Sequence, residues 1–225
     1  MKKIISLAIL LCLFFASASA QEGAIPPEEF GIYNNVWRYY DGVKNIAKAL
    51  NSTGEDRAWY FDCAIKALRP NKVQSAGGYE YKVWYTPLKL TAVDVAAELP
   101  AESIYTYEYV LNQPEAKSLV VEGAIIRGSG DAPKDRCSVK HLAIKAKSSV
   151  CYEDVLEGET AIVVAVAAPN NKIRLTVISD KTHQGTSYSN GMVGFCKWTA
   201  TKGSKARYRI ENLEDRDVSL IIIAN

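Results

Sequence analysis

Histidine is nearly missing from this 225-residue chain, which holds two, His141 and His183. There is no HExxH, no CxxC and no closely spaced histidine pair, so no zinc site is expected. The acidic stretches around Asp131 and Asp135, and around Asp215 and Asp217, lack the ligand spacing of an EF-hand loop. They read as solvated turns. GxSxG is missing, which excludes the strained nucleophile turn of many serine hydrolases. Phosphate-cradling glycine loops are missing as well. No metal and no cofactor is therefore expected.

An excess of one charge is also lacking. The formal net charge is +2 with the two signs interspersed, which gives no electrostatic reason to expect a nucleic-acid partner. Nor does the chain repeat with the short period of a solenoid. Cys137 and His141 stand four apart; in an extended strand that is about 13 Å, too far for a thiol–imidazole pair. His183 lies in the polar stretch "DKTHQGTSYSNG", a setting suited to ligand contact.

Long apolar runs occur once, at the start. "MKKIISLAILLCLFFASASA" has Lys2 and Lys3, an apolar run from Ile4 to Phe15, and Ala18 and Ala20 in an A-x-A arrangement. This reads as a secretory signal peptide over residues 1–20, with cleavage expected before Gln21. The apolar run is too short to span a bilayer, which needs roughly 20 residues, and no later segment qualifies. Bulky Leu11 before Cys12 argues against a lipid-attachment cysteine. The expected location is periplasmic or extracellular, with no membrane span after signal removal.

What is present is a globular composition, 48% hydrophobic and 23% charged. Beyond the signal lie four cysteines, Cys63, Cys137, Cys151 and Cys196. An even count in an exported chain points to disulfides, and four cysteines allow three connectivities.

The pattern changes along the chain. In "PPEEFGIYNNVWRYYDGVKNIAKALN" the residues Phe30, Tyr33, Trp37, Tyr40, Val43, Ala47 and Leu50 fall on one helical face. Thr53 with Asp56 can cap a second helix, whose stripe is Ala58, Phe61, Ile65 and Leu68 and which Pro70 stops. Together they predict a helical hairpin. "YEYKVWY" (79–85) and "SIYTYEYVL" (103–111) alternate and are expected as strands, while "LTAVDVAAEL" fits either state. From residue 117 the pattern is β: "KSLVVEGAIIRG", "SVKHLAIKA", "TAIVVAVAA", "KIRLTVIS", "MVGFCKWTA", "KARYRIEN" and "DVSLIIIAN", separated by polar turns that include "THQGTSYSNG". Ile173, Leu175 and Val177 are expected to point inward; Ala206, Tyr208 and Ile210 share one face, and Lys205, Arg207 and Arg209 the other. The fold class is α+β: an N-terminal helical hairpin followed by a mainly antiparallel β-sandwich. The expected division is 21–115 for the N-terminal α/β region and 116–225 for the sandwich.

The segment from Cys151 to Asn225 resembles small extracellular jelly-roll-like sandwiches of the pre-peptidase C-terminal and GOLD type. Gly158, Thr160, Leu175, Phe195, Gly203, Tyr208 and Asn212 carry the resemblance. "GSKARY" separates Gly203 from Tyr208 more widely than in that pattern, and Lys172 or Asn171 stands where an acidic residue is usual. The resemblance implies a non-catalytic binding or stabilising module. Within it, Cys151 and Cys196 are expected to pair, closing a loop of about 46 residues for about 4 kcal/mol in the chain-entropy model.

The remaining signal is aromatic. Tyr39 lies off the main helical stripe and is the best candidate for an exposed aromatic; with His183 and Tyr188 it forms the expected ligand-contact set. The function expected is an exported non-catalytic protein that binds a protein or carbohydrate ligand. The alternative is a secreted hydrolase working through two carboxylates that only tertiary distance could identify.

Overall fold

The computed structural model describes residues 34–116, 137–158, 160–168, 170–180, 182–189 and 193–225. The signal segment and the expected strand at 117–128 lie outside these residues.

Two helices come first, α1 (Asn34–Leu50) and α2 (Gly54–Leu68). The predicted stripe of α1 is buried at Trp37, Tyr40, Val43 and Ala47, but so are Val36, Tyr39, Ile46 and Ala49, so α1 is enclosed on more than one side. α1 lies close against α2. A Cβ on Gly42 would stand 2.4 Å from Leu68 Cγ, so only glycine permits this approach. Thr53 occupies the N-cap of α2 in extended conformation, without the expected side-chain cap bond. The helix ends at Leu68 because the residue before Pro70 avoids the helical region, and Arg69 is extended at φ −52°, ψ 143°. Arg38 satisfies the carbonyls left open there. Its guanidinium donates to Ala67 O (2.7 Å) and Arg69 O (3.0 Å), and to Asn71 Oδ1 (3.1 Å).

A hairpin follows, β1 (Asn71–Ser75) and β2 (Gly78–Lys82), with Ser75 paired to Gly78 across a two-residue turn. Gly78 takes φ +126°, a conformation closed to other residues. The strand expected over 79–85 thus begins at Gly78 and stops at Lys82. Short strand β3 (Thr86–Pro87) follows, and β4 (Thr91–Asp94) and β5 (Glu98–Leu99) resolve the ambiguous stretch as mainly extended. The strand expected at 103–111 is corrected: its second half is a short helix, α3 (Tyr107–Leu111). Thr106 caps it, its hydroxyl accepting from Tyr109 N at 3.1 Å. This local cap, with Val110 buried beneath it, outweighs the alternating tyrosines.

Eight strands then build the sandwich: β6 (Ser138–Ile144), β7 (Ser149–Val155), β8 (Thr160–Ala167), β9 (Ile173–Ser179), β10 (Thr182–Ser189), β11 (Val193–Thr199), β12 (Lys205–Asn212) and β13 (Val218–Ala224). The stretch "THQGTSYSNG", expected as a turn, supplies β10. Its polar composition hides a strand that gains its ladder from β9. One sheet runs β10-β9-β12-β7-β4 and the other β11-β8-β13-β6-β3, with β5 also on β6. All pairs are antiparallel except β3 with β6. From β6 to β9 each successive strand changes sheet, as it does again from β10 to β13. The pairings of β3, β4 and β5 carry the sheets across the expected division at residue 115, because residues 86–99 supply edge strands.

The core between the sheets includes Leu142, Val163, Leu175, Val177, Tyr208 and Ile222. The inward set Ile173, Leu175 and Val177 is as expected. A second core lies behind the six-stranded sheet, where Val139, Ile162, Val164, Val166, Ile221 and Ile223 meet the helices. β8 and β13 are therefore buried on both faces, which accounts for their nearly unbroken apolar runs.

Two asparagines tie the strand ends. Asn212, fully buried, donates to Ile144 O, Lys145 O and Arg216 O at 2.8–3.1 Å and accepts from Glu214 N at 2.9 Å. Asn225 accepts from Ile162 N at 2.7 Å and donates to Thr160 O at 3.0 Å.

Candidate functional site: the open face of the five-stranded sheet

The two sheets differ in what lies outside them. No described element covers the outer face of the five-stranded sheet. Alternation places Arg174, Thr176 and Ile178 of β9 there, with Lys205, Arg207, Arg209 and Glu211 of β12 and Cys151, Glu153 and Val155 of β7. Cross-strand register joins them into rows. Arg174 pairs with Glu211, Thr176 with Arg209, and Ile178 with Arg207. Arg209 pairs in turn with Cys151, Arg207 with Glu153, and Lys205 with Val155.

Two carboxylates and four cations share the three central strands of this face, with Asp94 of β4 beside Cys151 at its edge. Lys205 Nζ lies 2.6 Å from Glu153, and Arg207 Nε reaches the same carboxylate at 3.5 Å. Arg174 holds Glu211 in a two-pronged pair, and Arg209 approaches the same carboxylate at 3.5 Å. The hydrogen bond from Lys205 holds the Glu153 carboxyl below its usual range, and that from Arg174 does the same for Glu211. The carboxylates are sunk, at 18% and 13% side-chain exposure, while Arg207 and Arg209 stand at 57% and 58%. Val155 and Ile178 are exposed aliphatic side chains among these charges.

The expected ligand-contact residues divide. Tyr39 is corrected: it is fully buried. Its ring meets Tyr85 at 4.8 Å and Trp84 at 6.1 Å, and its hydroxyl donates to Tyr105 O at 3.3 Å. The segment after β2 wraps the flank of α1 that the helical stripe left free, so Tyr39 belongs to the core. Burial pushes its hydroxyl well above the ordinary tyrosine value. His183 and Tyr188 lie on β10, paired in register with Ile178 and Arg174 of the open face. Their side chains lie outside the described ones.

The expected Cys151–Cys196 disulfide is corrected too. All four thiols, Cys63, Cys137, Cys151 and Cys196, are free. Cys196 belongs to the core between the sheets, whereas Cys151 alternates with the inward Val150 and Tyr152 and so takes the opposite face of the five-stranded sheet. A sheet layer separates them, and no rotamer bridges it. Burial pushes the Cys196 thiol up to about 12 and raises Cys137 further, so neither ionises near neutrality. Cys151 is raised by burial as well, with Arg207 and Arg209 opposing.

Sequence reasoning placed Lys205, Arg207 and Arg209 on one face but did not single out that face. The usable signal was the contrast between strands. "KARYRIEN" alternates charge with apolar side chains, as a strand open to water must, whereas "TAIVVAVA" does not alternate because both its faces are covered.

No family model matches the chain, and no curated protein matches it. Among solved structures it is similar to the Yersinia pseudotuberculosis-derived mitogen, at 14% identity over 40% of this chain and 84% of that one, with a TM-score of 0.33. It is also similar to Aeromonas hydrophila PliG, a periplasmic lysozyme inhibitor of g-type lysozyme, at 9% identity over 43% and 91%, TM-score 0.33. A third is the carbohydrate-binding module CBM36 in complex with calcium and xylotriose, at 15% identity over 43% and 84%, TM-score 0.25. Likeness at this level assigns neither family nor function.

Proposed function

We propose that this is an exported, non-catalytic binding protein that engages its partner through the open face of the five-stranded sheet. The observation that carries this reading is the asymmetry of the two outer faces. The described helices cover one, while the other displays cations and aliphatics together with no described element over it. The proposed kinship to pre-peptidase C-terminal and GOLD modules belongs to the same reading, as does export through residues 1–20. Among the described residues no helix is long and apolar enough to cross a membrane.

The hydrolase alternative finds little support at this face. A general acid needs a raised carboxyl, and Glu153 and Glu211 are both lowered and tied to cations. Asp154 is raised, by burial, but its carboxylate accepts the Tyr208 hydroxyl at 2.8 Å on the inner side of β7.

The test is position-specific photocrosslinking. A crosslinking residue at Ile178 should trap a partner from the native host's extracytoplasmic fraction, whereas one at exposed Lys66 on α2 should not. Equal capture from both sites, or capture from Lys66 alone, would refute the open face as the docking surface.

A further inference from the structure

The open face has a definite excess of charge and a definite repeat. Four cations share two carboxylates, and each carboxylate is already engaged by its nearer cation, Lys205 on Glu153 and Arg174 on Glu211. Arg207 and Arg209 come second. Their contacts at 3.5 Å lie beyond the usual 2.7–3.2 Å hydrogen-bond range, and more than half of each side chain remains in water. The three central strands of the face, β9, β12 and β7, therefore present two more cations than carboxylates. Asp94 of β4, paired with Cys151, is the nearest further acid across the sheet. It sits two strands from Arg209, about 10 Å away, close to the screening length at physiological salt.

Lys205, Arg207 and Arg209 fall at alternate positions of one strand, so their spacing is about 6.8 Å. The two-residue repeat of an extended peptide has the same length. Carboxylates on alternate residues of such a peptide would meet successive cations of β12. Ile178 beside Arg207 and Val155 beside Lys205 add exposed apolar surface at the margins of this cation row. An acidic glycan would match the charge and leave those aliphatics without an apolar partner.

Resting on the open-face reading above, we infer that the occupant is an extended acidic segment of a partner protein, with carboxylates at alternate residues and apolar side chains flanking them. Arg207 and Arg209 supply charge-assisted, fork-shaped contacts to successive carboxylates.

The probe is a synthetic peptide with glutamates at two successive alternate residues, valines at the next alternate residue on either side and serines between, so that glutamates and valines share one face; binding is measured by fluorescence anisotropy on the mature protein. Oligogalacturonate and oligothymidylate are the comparison ligands. The peptide should bind more tightly than either, and its affinity should fall as salt rises. The double variant R207Q/R209Q should weaken it about tenfold, while R207K/R209K, which keeps the charge and loses the fork, should weaken it by less. Both positions are exposed, and unchanged thermal melting confirms the fold. Peptide affinity unaltered in R207Q/R209Q, or no peptide binding at all, overturns the inference. Tighter, arginine-dependent binding of the uronate or the oligonucleotide overturns the acidic-peptide assignment while leaving the open face as a binding surface. Failure of that surface itself is read separately, by the crosslinks at Ile178.

Discussion

Behind the six-stranded sheet stand Ile162, Val164, Val166, Ile221 and Ile223, all covered by the helices; behind the five-stranded sheet stand Arg174, Arg207, Arg209, Glu153 and Glu211, covered by nothing described. Both sheets contribute to one core, so the difference is entirely in their outer rows. An apolar outer row needs a lid, because each buried aliphatic side chain contributes about 1.5–3 kcal/mol only once water is excluded. A charged outer row needs none. The helical hairpin is thus a condition for the six-stranded sheet to exist as written. The five-stranded sheet needs no such cover for its own stability.

The sharpest way to break this contrast is to remove a large buried side chain of the lid. Trp37 is buried on α1 and meets Phe195 of β11 with ring centroids 5.4 Å apart. Trp37→Ala should cost about 3–5 kcal/mol in urea unfolding. A loss below about 1 kcal/mol would show that the helices are an appendage rather than a lid. Next is Gly42→Ala, which sets helix propensity against space. Alanine gains about 1 kcal/mol within a helix, but the clash with Leu68 costs about 1–3 kcal/mol. A net destabilisation is expected by the same measurement, and a stabilised variant would contradict the close contact of α1 and α2.

The smallest effect belongs to the open face. Glu211 has its carboxyl lowered in the folded state, chiefly by the hydrogen bond from Arg174. A lowered acid contributes stability that is present above its unfolded value of about 4.3 and is lost as pH falls through the lower folded value. Glu211→Gln should therefore cost no more than about 1 kcal/mol at neutral pH, and the gap to wild type should close in acid. Urea titrations at neutral pH and below about pH 4 would show it; a gap that widens in acid reverses the assignment.

Much of this architecture was legible residue by residue. The helical hairpin showed in the spacing of Trp37, Tyr40, Val43 and Ala47, and in Pro70. The inward and outward sets of β9 and β12 showed in simple alternation. Other features did not show, each for a physical reason. The burial of Tyr39 is invisible because a helical stripe describes one flank, and the cover on the other comes from Trp84 and Tyr85, far along the chain. The cysteines were paired by count and compartment, but pairing is decided by which face of a sheet each occupies. β10 was missed because its polar side chains give no period, and its strand character comes from the ladder that β9 offers. As for the site, the cation row was visible in "KARYRIEN", but which sheet lacked a lid is a tertiary fact.

Asn225 has a consequence for alignment. Along most strands the alternation of apolar and polar side chains forbids a one-residue slip, because the slip would turn the wrong set toward water. β8 and β13 carry apolar side chains on both faces, so a slip between them would expose almost nothing. The side chain of Asn225 grips Thr160 O and Ile162 N, and it can do so in one alignment only. It serves as an index pin: a single amide that tells two nearly featureless strands where to stop.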